Sequence, residues 1–580
     1  MKFRPSNFIQ LPLATIVLFL SFSCNKDSDL LAEYVIEQPQ AFMVNDVVVT
    51  LANSPIVIEP LSNDTFKEPE KVTITEVTPP KMGTAEVQED NTVVYTPNTD
   101  ETGTDEFDYT TTVTNSDDTV STETGSITVT VTPTDKTSPI TGDNVYYVTT
   151  TGKSSNNGSS EALAWSIQYA FSTAKAGDVV YIKAGNYGAL NITSSNSGTS
   201  SNPIKFIGYT STPGDLVSNN GSTFNYGESL NPNKMPYIKG TSTLSGIGID
   251  IQGSYVEINN FQITDYMFGL ISKGKYVILD NIITNNNGEQ NNNTTQTGRG
   301  FHIYGDNTIV ENCFSLNSNA EAINIKGAHN CIIRNTKVYS DNRLNPGGYY
   351  IGITGGASGN LVENCLVYRD KDADLHQGHG YVLKDKATNN IIKNSKAYNT
   401  GIEVNFSGVY NNSFEDMQLY GSYSEDRGEF SSGIRVINGA HDNYFKNIYI
   451  EDSRYVFNFH DFDDGFVNSD GDRDEAQGGN NNVFENIVSN KSNTVIALTT
   501  QDTPLGQSTS SGNKFKNCTF SNVSSVVVAS YHKVTGFEFS NCTFENIKSS
   551  YMIETNGGIG NWNATYTSCK FISVGFPIPL

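Results

Sequence analysis

Between residues 299 and 437 one short phrase recurs, an opening residue that is often Gly followed by apolar–x–apolar–x. Its copies are Gly300-Phe-His302-Ile-Tyr304, Ala322-Ile-Asn324-Ile-Lys326, Tyr350-Ile-Gly352-Ile-Thr354, Gly380-Tyr-Val382-Leu-Lys384, Gly401-Ile-Glu403-Val-Asn405 and Gly433-Ile-Arg435-Val-Ile437. If these segments stack as strands, equivalent positions form columns. One column runs His302, Asn324, Gly352, Val382, Glu403, Arg435; another runs Tyr304, Lys326, Thr354, Lys384, Asn405. Just ahead of each phrase stand Arg299, Glu321, Tyr349, His379 and Thr400. Alternation points the x residues away from the core, so their charges are expected to face solvent. His379 is the candidate proton-transfer residue, with Glu321 or Glu403 as its carboxylate partner. Arg299, His302, Lys326, Tyr349, His376, Lys384 and Arg435 are candidate substrate-binding residues. Six rungs span ~25–30 Å, a length that suits an oligosaccharide, and the cations suit a polyanionic one. The competing account is a solvated face with scattered charges, with His376 or His379 only pinning the 368–380 loop.

Stacked columns need a solenoid, and a second repeat supplies it. Val277-Ile-Leu-Asp-Asn281, Ile309-Val-Glu-Asn312, Ile332-Ile-Arg-Asn335, Leu361-Val-Glu-Asn364, Ile391-Ile-Lys-Asn394, Tyr444-Phe-Lys-Asn447, Val483-Phe-Glu-Asn486, Phe515-Lys-Asn517 and Phe539-Ser-Asn541 share one pattern. Their closest spacings match the ~20–25 residues of one turn of a parallel β-helix. Recurrent Asn at one turn is expected to let side-chain amides stack and bond along the axis. Ala164 to Phe171 reads as an amphipathic capping helix and Gly177 to Tyr187 as the first strand and turn. The fold class expected is all-β, a right-handed parallel β-helix over 143–580 preceded by a small Ig-like β-sandwich over 33–135, with a linker at 136–142.

Composition narrows the function. The 580 residues carry 37 Lys+Arg against 62 Asp+Glu, a formal charge of −25, which argues against nucleic acid as partner. Residues 33–135 hold 20 of the acidic residues against three lysines. Their Thr/Val alternation, with Leu61-Ser-Asn-Asp64, Gly83-Thr-Ala85, Val94-Tyr-Thr-Pro97 and Gly103-Thr-Asp-Glu-Phe107 in order, resembles bacterial Ig-like and cadherin-like modules. Asp64, Asp105 and Asp108 are expected on a solvated acidic face, with calcium as the alternative. Residues 1–24 read as a signal peptide: Lys2 and Arg4, an apolar run from Leu11 to Leu20, then Ser21-Phe-Ser-Cys24. That ending resembles a bacterial lipobox, with Cys24 as the lipidated residue and 25–32 as a tether. Asn25-Lys-Asp-Ser-Asp29 resembles the export tag of Bacteroidota surface lipoproteins. The resemblance implies a monomer anchored at the cell surface or periplasmic face of the outer membrane. The other six Cys show no zinc spacing and are expected as small buried thiols.

Two segments resemble known β-helix enzymes. His379-Gly-Tyr-Val-Leu-Lys384, with Asn389 to Asn399 after it, resembles a pectate lyase motif that begins with a calcium-binding Asp; His379 stands in its place. Glu321-Ala-Ile-Asn-Ile-Lys326 resembles the Glu-to-Lys spacing of alginate lyases, without the Arg of the next rung. His paired with a carboxylate, together with lipoprotein, Ig-like module and β-helix, resembles marine Bacteroidota hydrolases of sulfated fucans or carrageenans. The resemblance implies an endo-acting glycoside hydrolase needing no cofactor. The alternatives are a lyase of a uronate polymer and a non-catalytic glycan-binding lipoprotein. Asp470, Asp472 and Asp474, alternating around Gly, make a candidate structural calcium loop.

Overall fold

The computed structural model describes Ala41–Phe42 and residues 46–578, apart from 52–54, 63, 67–70, 100, 115–119, 133–143, 217, 219–220, 292–296, 374–377, 423–431, 463–476, 502–508, 530–532 and 556–561. Its contacts separate two units, Met1–Asp135 and Lys136–Leu580.

In the first unit, alternating Val/Thr segments build two sheets. Asp46–Leu51, Val120–Thr132, Gly103–Thr114 and Val72–Val77 form one; Ile56–Ile58, Val93–Pro97 and Gly83–Val87 form the other. Ile58, Ile74, Val93, Tyr95, Phe107, Tyr109, Ile127 and Val129 fill the core. Asp105 departs from the expected solvated face. It is buried, accepting from the Lys81 and Met82 amides (2.9 and 2.7 Å) and from the Tyr95 hydroxyl (2.9 Å). Asp64 likewise accepts from Tyr109 (2.6 Å). These carboxylates satisfy buried donors, the usual condition for a charge to leave water.

The second unit is a right-handed parallel β-helix. It opens with the strand Val145–Val148, which pairs with Val179–Lys183, so the expected first strand at Gly177 to Tyr187 is the second. Between them the helix Ile167–Thr173 buries Ile167, Ala170 and Phe171 over the first rungs, with Phe171 stacked on Phe206 at 3.8 Å. Among the described residues, one parallel sheet of 13 strands runs from Ile192–Ser194 to Ile553–Thr555, and a larger parallel sheet forms the remaining faces. In-register pairing stacks like on like inside. Phe414, Phe445, Phe484, Phe515 and Phe539 form a near-parallel pile with successive centroids 4.5–5.0 Å apart, close to the strand spacing. Cys313, Cys331, Cys365, Cys518 and Cys542 are buried; burial pushes the Cys365 thiol up to about 12, which makes it a small apolar filler.

The recurrent Asn has a different main role from the one its spacing suggested. Asn281, Asn312, Asn335, Asn364, Asn394, Asn447, Asn486, Asn517 and Asn541 all adopt φ between 49° and 55°, the left-handed bend that joins two strands of a rung. Asn tolerates that conformation better than any other residue with a side chain beyond Cβ except Asp, which stands at 416 in the same role (φ 53°). Axial amide bonds occur only in part of this column, as from Asn447 to Asp416 (3.0 Å) and Asn486 to Asn447 (2.9 Å). The continuous amide ladder lies elsewhere, buried at Asn360, Asn390, Asn412, Asn443, Asn482 and Asn513, each side chain bonding the next at 2.9–3.2 Å.

Asn412 shows what that ladder contributes. Its amide donates to the Ala387 and Tyr410 carbonyls and to Asn443, and its oxygen accepts from the Asn390 main chain. Asn412→Ala leaves several buried groups unbonded and should cost about 2–4 kcal/mol in urea unfolding. Asn447→Ala, at a surface bend, should cost only about 1 kcal/mol. Equal costs would show that the buried ladder has no special weight.

Candidate active site

The 13-stranded sheet carries the candidate residues. Strands Phe268–Ser272, Arg299–Ile303, Glu321–Lys326, Tyr349–Thr354, His379–Lys384, Ile402–Asn405, Ser432–Ile437 and Tyr455–Phe462 lie side by side in one register. Phe268, Arg299, Glu321, Tyr349 and His379 pair in succession. So do His302, Asn324, Gly352, Val382, Glu403, Arg435 and Asn458. The apolar residues between them, such as Ile323, Ile351, Tyr381, Ile402 and Ile434, point into the core.

The columns face away from the core, yet their central members are not solvent-facing. Glu403 and Arg435 side chains are each 5% exposed and His379 15%. Their own partners cover them. His379 Nδ1 lies 2.9 Å from Glu403 Oε2, and Arg435 Nη1 donates to the same oxygen at 3.1 Å. Asn405 Nδ2 reaches Glu403 Oε1 at 3.4 Å. Burial alone would raise the Glu403 carboxyl; His379, Arg435 and Lys384 outweigh it and hold the group well below the usual carboxylate range. Glu403 is therefore a fixed anion and cannot serve as a proton donor near neutrality. The contact at Nδ1 fixes the orientation of the His379 imidazole against Glu403.

Lys384 completes the centre. Its Nζ donates to the Tyr349 hydroxyl oxygen at 3.1 Å and lies over the Tyr349 and Phe406 rings at 5.2 and 5.3 Å. Burial works against the ammonium, but Tyr349, Asp385 and Glu403 more than offset it, so its pKa stands above the ordinary lysine value. The Tyr349 and His379 rings lie 5.7 Å apart. His379, Thr400, Gly401, Glu403, Ser432 and Arg435 line a small recess beside them.

Glu321 does not join this group. Its carboxylate pairs with the Arg299 guanidinium on the preceding rung, with Arg299 Nη2 donating to Oε1 at 3.2 Å, so the expected Glu321–His379 partnership is replaced by Glu403–His379. Opposite charges at directly paired positions leave Glu321 little reason to reach two rungs the other way. His302 sits at the same end, stacked on Tyr304 and edge-on to Phe268. Burial first, then Arg299 and Lys326, lowers its pKa to about 3, so it is neutral. Lys326 has no ion-pair partner among the described residues. His376, Asp470, Asp472, Asp474 and Cys24 lie outside the described residues.

Three groups escaped the sequence reading. Asn458 extends the Glu403–Arg435 column, and His460, bonded to Thr499 (2.7 Å), extends the Lys384–Asn405 column. The alternation in Tyr455-Val-Phe-Asn-Phe-His-Asp-Phe would have revealed both, had the alignment continued one rung. Arg369 left no such signal. It is buried and donates to the Asp370 and Ala373 carbonyls (3.0 and 3.1 Å), fastening the start of the loop that leads to His379.

The pectate lyase motif implies calcium where His379 stands. The donor set does not fit a hard cation, because Glu403, the carboxylate in contact with His379, is already bonded to an imidazole and a guanidinium.

Residues 37–132 match the family model described as a bacterial Ig domain. No curated protein matches the chain. Among solved structures, the alginate lyase of Paenibacillus sp. str. FPU-7 is 13% identical over 62% of this chain and 98% of that one, with a TM-score of 0.36. The pectate lyase Pel9A is 16% identical over 68% and 79%, with a TM-score of 0.34. The family 28 exopolygalacturonase of Yersinia enterocolitica is 13% identical over 83% and 85%, with a TM-score of 0.36. Superpositions this loose assign no activity to the chain.

The site sets an acid limit on stability. His302 is neutral when folded down to about pH 3, whereas unfolded it binds a proton below ~6.5, so stability falls on acidification through that window. Glu403 adds to the loss below the unfolded carboxyl value of ~4.3, because its ionised form is favoured in the fold. His302→Phe should flatten the melting temperature between pH 6.5 and 4.5, where the histidine term reaches at most about 1.4 kcal/mol per pH unit. An unchanged profile would show that His302 is protonated in the fold.

Proposed function

We propose that the second unit is a polysaccharide-degrading enzyme whose anionic substrate lies along the columns. The observation that carries this reading is the meeting of His379, Tyr349 and Lys384 on adjacent rungs beside the Glu403–Arg435 pair. That set has the equipment for β-elimination from a uronate residue. Lys326 and Lys384 offset the substrate carboxylate. His379 Nε2 takes the proton α to it; the C–H electrons form the C4=C5 double bond as the C4–O bond breaks. The departing oxygen takes the Tyr349 proton, and Lys384 Nζ, already donating to that phenol oxygen, stabilises the phenolate. Glu403 orients His379 and compensates the imidazolium that forms.

Hydrolysis of a sulfated, fucan- or carrageenan-type chain is the second reading, favoured by the His379–Glu403 contact as a histidine acid/base with a carboxylate. Carboxylate spacing weighs against a version of it that uses two carboxylates. Glu321 and Glu403 stand three rungs apart, about 14 Å along the axis, beyond the ~6.5–9.5 Å of an inverting pair. Export as a Cys24-anchored lipoprotein belongs to the same proposal, since it would bring the solenoid to polymers too large to enter the cell.

Purified protein offered alginate, polygalacturonate, chondroitin sulfate, fucoidan and carrageenan should release chains with ultraviolet-absorbing unsaturated ends. New reducing ends without that absorbance would instead establish hydrolysis, and neither would leave a binding protein. His379→Ala should lower kcat about 10²–10⁴-fold with binding largely kept. Wild-type rates in that variant would remove His379 from the mechanism. Activity should persist in excess chelator, given the donor set; abolition reversed by calcium would overturn that expectation.

A further inference from the structure

We propose that Tyr304, backed by His302 and Phe268, is a sugar-stacking platform three rungs before His379, holding a neutral ring face of the chain about three residues from the bond that breaks. This rests on the reading of the columns as a glycan-binding surface. Tyr304 follows Ile303, which pairs with Ile325, so it heads the column that continues through Lys326, Thr354 and Lys384. At that position it is 44% exposed, while its ring is stacked on His302 at 4.4 Å and 28°. His302 is held in turn by the edge of Phe268 (6.3 Å, 70°), whose ring also lies under the Arg299 guanidinium at 5.6 Å. An exposed phenol supported from behind is rigid, so little side-chain entropy is lost when an apolar sugar face settles on it.

A second observation points to a ligand here. His302 is 2% exposed, and neither ring nitrogen has a hydrogen-bond partner among the described residues. Imidazole nitrogens buried without partners are costly, and nothing in the packing of the sheet requires a histidine in place of a phenylalanine. A sugar hydroxyl reaching past the Tyr304 ring would supply the missing bond. Lys326, one rung on in the same column, stands to meet an anionic substituent of the same sugar. One rung and one pyranose of an extended chain are of nearly equal length, so three rungs correspond to about three sugar residues. A platform there favours cleavage inside a chain over removal of terminal residues.

The test compares wild type, Tyr304→Ala and Tyr304→Phe on whichever of the five polymers the wild type cleaves, and on its purified trisaccharide and octasaccharide. Tyr304→Ala should raise KM about 3–10-fold for polymer and octasaccharide with kcat changed less than twofold, should leave the trisaccharide KM unaltered, and should shift products toward shorter fragments. Tyr304→Phe keeps the ring and should stay within twofold of wild type throughout. Melting temperatures of both variants within a few degrees of wild type would exclude a folding defect, since the residue is at the surface. Unchanged KM for the octasaccharide in Tyr304→Ala, or equal losses for both lengths, would overturn the platform while leaving the catalytic reading intact. Failure of the wild type to cleave or bind any of the five polymers would overturn the catalytic reading itself.

Discussion

Everything in the second unit depends on the parallel backbone ladder, which places each residue about 4.8 Å above its equivalent on the previous rung. That constraint acts on side chains as strongly as on the backbone. Apolar residues of one kind benefit, as the phenylalanine pile shows, because identical rings offset by one rung stack face to face. Charges of one kind do not, because like charges held at rung spacing repel. The outward columns meet this by alternating sign: Arg299 precedes Glu321, and Glu403 precedes Arg435.

The same geometry explains how a buried carboxylate becomes useful. Glu403 alone would be expelled or protonated on leaving water. Between an imidazole and a guanidinium it stays ionised, and the desolvation that opposes it also sharpens its hold on both partners. Breaking a cluster of this sort from one side leaves an uncompensated charge, so the centre tolerates little variation in type. Lys384 and Tyr349 follow the same rule one rung away. The ammonium keeps its proton because an acceptor and nearby anions outweigh its burial.

Position along the solenoid then separates roles that the residue types alone leave mixed. The centre holds an imidazole, a phenol and an ammonium beside a buried carboxylate–guanidinium pair. The end near Arg299 holds a neutral histidine, two aromatic rings and a paired carboxylate. Loops contribute by anchoring, as where the buried Arg369 ties down the segment leading to His379.

Periodicity in the chain was sufficient to establish the solenoid, its capping helix, the membership of the three columns and the β-sandwich ahead of them. Each of these follows from local alternation and a repeat length, both of which are visible in one dimension. Pairing within the columns was not. Glu321 and Glu403 are equivalent partners for His379 as letters, and only side-chain reach across rungs, with Arg299 competing for one and Arg435 sharing the other, decided between them. Burial was likewise decided in three dimensions: alternation separates core from exterior, but neighbours stacked above and below determine whether the exterior is wet. The bend asparagines show the same division. Their spacing announced a turn, whereas the reason for Asn, a positive φ at each of the nine bends, belongs to the folded backbone.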